Sequence, residues 1–386
     1  MKNHLVGHQA PVRRAITGMV ACLISGLALA SATAAPARAQ IPGGNTTVVG
    51  GSQLSGRGVI VNYPARGAPR LPAVPASAYV IADAGTGQVL AAKDPHGWFA
   101  PASTLKVLTA LTLMPVLRPD STVVASHQAA SVEPSKVGLI AGRRYLVSDL
   151  FKALLLVSAN DAAISLAQAT GSFAKGIAMM NAEAQHLGAD DTVARQPNGL
   201  DAPGQHVSAY DEALIAREAL KLPMFMRDEQ LGTARFPLAQ RHMVTLYNQN
   251  TMLTGYPGDI GGKIGWTTPA AATFIGLARR HGVTLIVTIL HCVPMTEMTY
   301  AARLLNWGFT MDGAVTPVGT LVSPQPARTP PNVPRPPHRA AARPLPAGRT
   351  VPVAAGAGAA LLAALLAGSA LLVSRRRPRS GSRPVP

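Results

Sequence analysis

A chain of 386 residues can hold one large domain or two, and its net charge of +17 would suit a nucleic-acid binder if that charge were spread over a folded surface. Instead, four of the 35 basic residues lie within the first 39 positions and ten arginines lie beyond residue 327, which leaves 21 against all 18 acidic residues between 40 and 322. A body with about three excess positive charges gives no electrostatic footprint for nucleic acid, and none is expected as a partner.

The N-terminus reads as a secretory signal peptide over residues 1–39: Lys2, Arg13 and Arg14 form its basic region, residues 15–34 are apolar and small, and Ala37-Arg38-Ala39 is a cleavage site. Residues 40–75, rich in Gly, Pro and Ser, read as a flexible lead-in. The folded domain is expected over 76–322. It opens with a strand at 78–83, a Gly85-Thr86-Gly87-Gln88 turn and a strand at 89–92. Beyond Pro101, Leu105, Leu108 and Leu111 recur every third residue, which predicts a helix with Ser103 in its first turn.

Residues 147–157 predict a buried helix, Ser158-Ala159-Asn160 a connection, and Asp161 the cap of a helix that runs to Ala169. Helices over 174–187 and 208–221 flank a turn at 197–201. From Lys263 the period changes to strands at 263–267, 273–280 and 283–290, followed by a helix over 296–307. Strands at both ends with helices between imply an α+β fold, with an antiparallel sheet from both termini of the domain covered by helices, plus a helical subdomain. Cys22 leaves with the signal, so Cys292, after the apolar run 283–290, reads as a buried inert thiol.

The prolines of residues 323–350 favour an extended stalk over hydrogen-bonded structure. Residues 351–373 hold no charge and, at roughly 35 Å as a helix, are long enough to cross a bilayer. The basic tail at 374–386, with Arg375, Arg376, Arg377 and Arg379, places that flank in the cytoplasm and the body outside. The expected location is thus the cell membrane, single-pass through this C-terminal helix, with the folded domain on the extracytoplasmic side.

Three motifs sit on these elements in order: Ser103-Thr104-Leu105-Lys106, Ser158-Ala159-Asn160 and Lys263-Ile264-Gly265. Residues three apart on a helix share a face, so Ser103 and Lys106 read as a nucleophile beside its base. Lys106 can take the proton only when neutral, which burial and Lys263 as a second cation would promote. Backbone N–H groups of Ser103 and Trp266 would form an oxyanion hole. Ser158 would relay a proton to the departing amine and Asn160 would hold the substrate amide. Lys263, with Gly265, Trp266 and Thr267 on the same strand, would receive a peptide ending in a free carboxylate. That favours a carboxypeptidase over an internal protease.

At these motifs, and at the runs Asp83–Leu90, Pro101–Lys106, Leu156–Asp161, Pro197–Asp201 and Tyr256–Lys263, the chain resembles the serine-type D-alanyl-D-alanine carboxypeptidases, the low-molecular-mass penicillin-binding proteins. The resemblance covers roughly residues 75–310. It implies the penicillin-recognising, β-lactamase-like fold, substrates that are peptidoglycan stem peptides ending in D-Ala-D-Ala, β-lactams as covalent inhibitors acylating Ser103, and no metal or organic cofactor. Ile264 departs from the Thr usual in that family. Two alternatives stay open: a catalytically weak or silent peptidoglycan- and penicillin-binding protein, because of Ile264, or a D,D-endopeptidase.

Overall fold

The two ends of the body meet in one sheet. The computed structural model describes residues 48–325. Strands β1 (Val59–Val61), β2 (Ala76–Asp83) and β3 (Gln88–Lys93) lead, through a 3₁₀ turn at Ala102–Leu105, into α1 (Lys106–Leu113). Then come β4 (Thr122–Val124), α2 (His127–Ser131) and β5 (Arg144–Leu146), followed by α3 (Val147–Leu156), α4 (Asn160–Ala169), α5 (Phe173–Leu187), α6 (Ala209–Ala219) and α7 (Pro223–Glu229). A hairpin of β6 (Thr233–Ala239) and β7 (His242–Tyr247) and the single turn α8 (Met252–Gly255) precede β8 (Asp259–Thr267), β9 (Ala271–Arg280) and β10 (Val283–Cys292). The chain closes with α9 (Glu297–Met311) and β11 (Gly319–Thr320).

The main sheet runs β1-β3-β2-β10-β9-β8, with β11 also on β3, and its pairs are antiparallel. Both faces are covered, which explains why its central strands read as continuous apolar runs instead of alternating ones. In β2, Ala78, Val80 and Ala82 join the core beneath α1, α3, α4 and α6, whereas Tyr79 and Ile81 join a second core beneath α9. The same split in β10 sends Ile286 and Leu290 one way and Leu285, Val287 and Ile289 the other. The strand β8 ends the sheet, so every second residue along it turns its N–H and C=O away from β9.

Several expectations need correction. Residues 48–61 are not a loose lead-in: Leu54 is buried and β1 pairs with β3 from Val59↔Lys93 to Val61↔Ala91. Asp161 does not cap α4, whose cap position is Ala159; its carboxylate turns back to accept from the amides of Val137, Gly138 and Leu139. Ser103 precedes α1 in the 3₁₀ turn and is not part of the α-helix itself. The sequence reading also left out α7, β6 and β7, whose Pro237 and mixed polarity hide the strand pattern. Among the described residues no helix is long and apolar enough to cross a membrane. The signal, the transmembrane segment, the tail and the stalk beyond Gln325 lie outside the described residues.

Candidate active site

Pro101 and Ala102, the latter in a left-handed conformation (φ 48°), swing the chain into the turn that carries Ser103. In a 3₁₀ turn side chains three apart eclipse, and Lys106 Nζ lies 2.7 Å from Ser103 Oγ. Thr104 faces inward, its hydroxyl 2.6 Å from the Pro101 carbonyl and bonded to Glu212. A hydroxyl has one proton for two acceptors, so Glu212 supplies the second, consistent with burial pushing its carboxyl up to about 8.

Lys106 is fully buried, with Asn160 Oδ1 at 2.7 Å and the Asn198 carbonyl at 2.6 Å. Neither of these oxygens can donate. In the neutral amine they take its two N–H bonds, which aims the remaining lone pair at the Ser103 hydroxyl. Burial, and next the positive charge of Lys263, hold the amine well below its usual range, while Asp161 pulls the other way. Asn160 does not stand free for a substrate amide: Oδ1 accepts from Lys106 and Nδ2 donates to the Glu133 carbonyl at 2.9 Å. Its backbone N–H donates to the Ser135 carbonyl at 2.8 Å, tying the 133–135 loop over the cleft.

Ser158 sits between α3 and α4 with φ 59°, buried, and its hydroxyl has no partner among the described residues. A left-handed serine with an unpartnered buried hydroxyl is a cost, of about 1–3 kcal/mol for the hydroxyl alone, that packing does not account for. The structure brings it to the same cleft as Ser103 and Asn160.

On β8, Gly265 lies against Ser103, while Ile264, opposite Phe274, packs partly against the second core and also borders the cleft. Gly265 has no room for a side chain: a Cβ there would stand 2.7 Å from the Ser103 amide nitrogen and collide with Thr273 Oγ1. Lys263 Nζ donates to the Ile264 carbonyl at 2.8 Å, so the backbone of Ile264 takes part whatever its side chain does. Burial lowers Lys263 to about 8 against the pull of Glu229, which burial raises to about 7 and which accepts from the Gly262 amide at 2.9 Å. Trp266 is 60% exposed on the rim, and the Thr267 hydroxyl donates to Asp201 at 3.0 Å.

The cleft between these motifs measures about 610 Å³ and holds Ser103, Ser158, Asn160 and the Ile264–Thr268 edge. A larger hollow of about 730 Å³ among Leu111, Met179 and Glu218 contains none of the motif residues, so size does not locate the chemistry. The sequence reading missed the Asn198 carbonyl, Gly199 and Glu229. The first two lie in the quoted Pro197–Asp201 run, where a Cβ on Gly199 would collide with the Ala102 carbonyl. Glu229 lies on a helix that was not predicted, and spacing carries no sign of it. Away from the cleft, His96, Asp191 and Asp211 bring their polar atoms within 4.8 Å of one another. Both ring nitrogens of His96 are already bonded, to Asp191 at 2.8 Å and the Val49 carbonyl at 3.1 Å, and Asp211 is bonded to Thr192, so the donor set is spent on hydrogen bonds.

The family model for D-alanyl-D-alanine carboxypeptidase matches residues 65–293. The chain is 40% identical over 264 residues to D-alanyl-D-alanine carboxypeptidase DacB2 of Mycobacterium tuberculosis, covering 67% of this chain and 90% of that protein. It is 29% identical to DacF of Bacillus subtilis, of which it spans 62%. Among solved structures, a D-alanyl-D-alanine carboxypeptidase of Mycobacterium tuberculosis superimposes with a TM-score of 0.64 at 39% identity, over 67% of this chain and 99% of that one. A Streptomyces DD-transpeptidase superimposes with a TM-score of 0.60 at 26% identity, over 63% of this chain and 100% of that one.

Proposed function

The chain belongs to the D-alanyl-D-alanine carboxypeptidase family, and on that premise we propose that it removes the terminal D-alanine from peptidoglycan stem pentapeptides through an acyl-enzyme on Ser103. The family is serine-type, has the penicillin-recognising fold and binds β-lactams; the site supplies the steps. Ser103 Oγ attacks the penultimate D-alanyl carbonyl as its proton passes to Lys106. The oxygen that becomes negative is received by the Ser103 and Trp266 amides at the open edge of β8. The C–N bond then breaks, and the proton goes from Lys106 through Ser158 to the leaving D-alanine nitrogen. Water attacks the ester in the same manner, releasing the tetrapeptide and restoring the Ser103 hydroxyl. Lys263 holds the substrate carboxylate, and Asn160 keeps Lys106 aimed.

The single observation that carries this reading is the fully buried Lys106, set between Ser103 Oγ and two pure acceptors. Ile264, which packs partly against the second core and also borders the cleft, replaces a hydroxyl there with an apolar side chain, while Ser103, Lys106, Ser158, Asn160 and Lys263 all remain. We place the protein on the outer face of the cell membrane, supported by the signal-like residues 1–39 and the uncharged run 351–373 followed by arginines. The test is release of D-alanine from diacetyl-L-Lys-D-Ala-D-Ala by the full-length protein and its Ser103→Ala variant. Release by the first and a loss of at least about 10³-fold in the second is the expected result. Penicillin labelling of Ser103 without any release would instead favour the silent binder, and release only from cross-linked dimers the endopeptidase.

A further inference from the structure

Trp98 is 65% exposed, yet it is not loose. Its indole N–H donates to Asp191 Oδ1 at 2.8 Å, and one face of its ring stacks on His206, with centroids 4.1 Å apart and planes 15° from parallel. The other Asp191 oxygen is held at 2.8 Å by His96, itself bonded to the Val49 carbonyl. Reciprocal backbone bonds of 2.9 Å between Phe99 and Val207 keep the Trp98 and His206 strands side by side. The hydrogen-bonded group around His96 and Asp191, which the reaction does not use, thus serves to fix a large apolar ring with one face open to water. A ring ordered in advance has little freedom left to lose when something stacks on it.

The ring is close in the chain to a hollow that adjoins the cleft. A hollow of about 280 Å³ lined by Ala100, Asp201, Pro203, Gln205 and Pro269 shares Asp201 with the catalytic cleft, and Pro269 follows Thr268 on the cleft wall. Ala100 is two residues from Trp98, and Gln205 is next to His206. With the substrate carboxylate at Lys263 and the scissile carbonyl at Ser103 and Trp266, the acyl side of the substrate runs on past Thr267 and Thr268 toward this hollow. Trp98 is five steps along the chain from Ser103, which bounds the distance between their Cα atoms at roughly 18 Å. The four stem residues on the acyl side of the cleaved bond span roughly 14 Å when extended, a length comparable with that bound.

We propose that the open face of Trp98, backed by His206, is a stacking platform for a pyranose ring of the glycan to which the stem peptide is attached. This rests on the reading of the cleft given above, and it makes the enzyme one that prefers glycan-linked stems to free peptides. Asp191 and His96 act as positioning residues.

The test compares kcat/KM of the full-length protein on a disaccharide-pentapeptide and on diacetyl-L-Lys-D-Ala-D-Ala. Trp98→Ala is expected to lower the ratio of the two roughly five- to ten-fold through KM, with Trp98→Phe restoring part of it. A second readout is the indole N–H resonance of Trp98 during titration with the peptide-free disaccharide, which should shift in the wild type. That arm stands whether or not D-alanine is released: a shift without release removes the carboxypeptidase reading and keeps the platform. Release with an unchanged ratio and no shift overturns the platform. A shift produced by the free peptide alone overturns it too, by assigning the ring to a peptide.

Discussion

Both lysines of the cleft are out of water, and the chemistry asks opposite things of them. Lys106 has to be neutral to accept a proton, and burial together with Lys263 drives it there; Lys263 has to stay charged, and burial lowers it to about 8. Reactivity is therefore expected to rise with pH as Lys106 loses its proton and to fall again as Lys263 does, with the descending limb below the range of a free lysine. Glu229 is the group that holds Lys263 up, so Glu229→Gln, which keeps the shape, should move the descending limb down by about one pH unit. The pH profile of penicillin acylation measures it, and an unmoved limb would separate Glu229 from the site. Gly265 makes a steric demand at the same place. In Gly265→Ala the added methyl meets the Ser103 amide, so acylation should fall by about 10²-fold or more, the usual loss for one oxyanion donor, while far-ultraviolet circular dichroism stays native.

At the level of elements, the cleft depends on a loop that has no regular structure of its own. Residues 133–139 are held by Asp161, which accepts from the amides of Val137, Gly138 and Leu139 at 3.1, 2.8 and 2.8 Å, and by Asn160, which bonds the Glu133 and Ser135 carbonyls. Asp161→Ala strands three amides together and should cost about 2–4 kcal/mol, seen as a lower urea midpoint, and should slow acylation by letting the Asn160 end of the loop drift. Asp161→Asn, which keeps one acceptor oxygen, should lose less than half of that. An equal loss in both would mean that the charge, not the bonding pattern, holds the loop.

The same residue marks where the sequence is legible and where it is not. Long apolar segments announced themselves: β2, β3, α3, α5 and β8 to β10 lie within a few residues of expectation, because the cores on both sides of the sheet require those runs. The three motifs were legible because their spacing is local. What Asp161, Asn198 and Glu229 do was not, since their partners are backbone groups or lie tens of residues away. No periodicity encodes a carbonyl aimed at a lysine across 92 positions of chain.

For the whole molecule, the proposed place at the membrane has two candidate causes in the sequence. Residues 351–373 contain six leucines and no charge, and at about 0.3–0.6 kcal/mol for each central leucine the apolar contribution is roughly 2–4 kcal/mol, modest for a span. Ten arginines between residues 328 and 383 offer a second way to the membrane, by attraction to anionic headgroups. Salt separates the two, because it screens charge and leaves apolar burial intact. If the apolar run is the anchor, the full-length protein stays with membranes in 1 M salt and leaves only in detergent, and truncation after residue 350 makes it soluble. Release by salt alone would transfer the role to the arginines. Every residue of the cleft lies before residue 325, so the truncated protein should keep its kcat on a free tripeptide, and a loss there would mean that the tail contributes to the site.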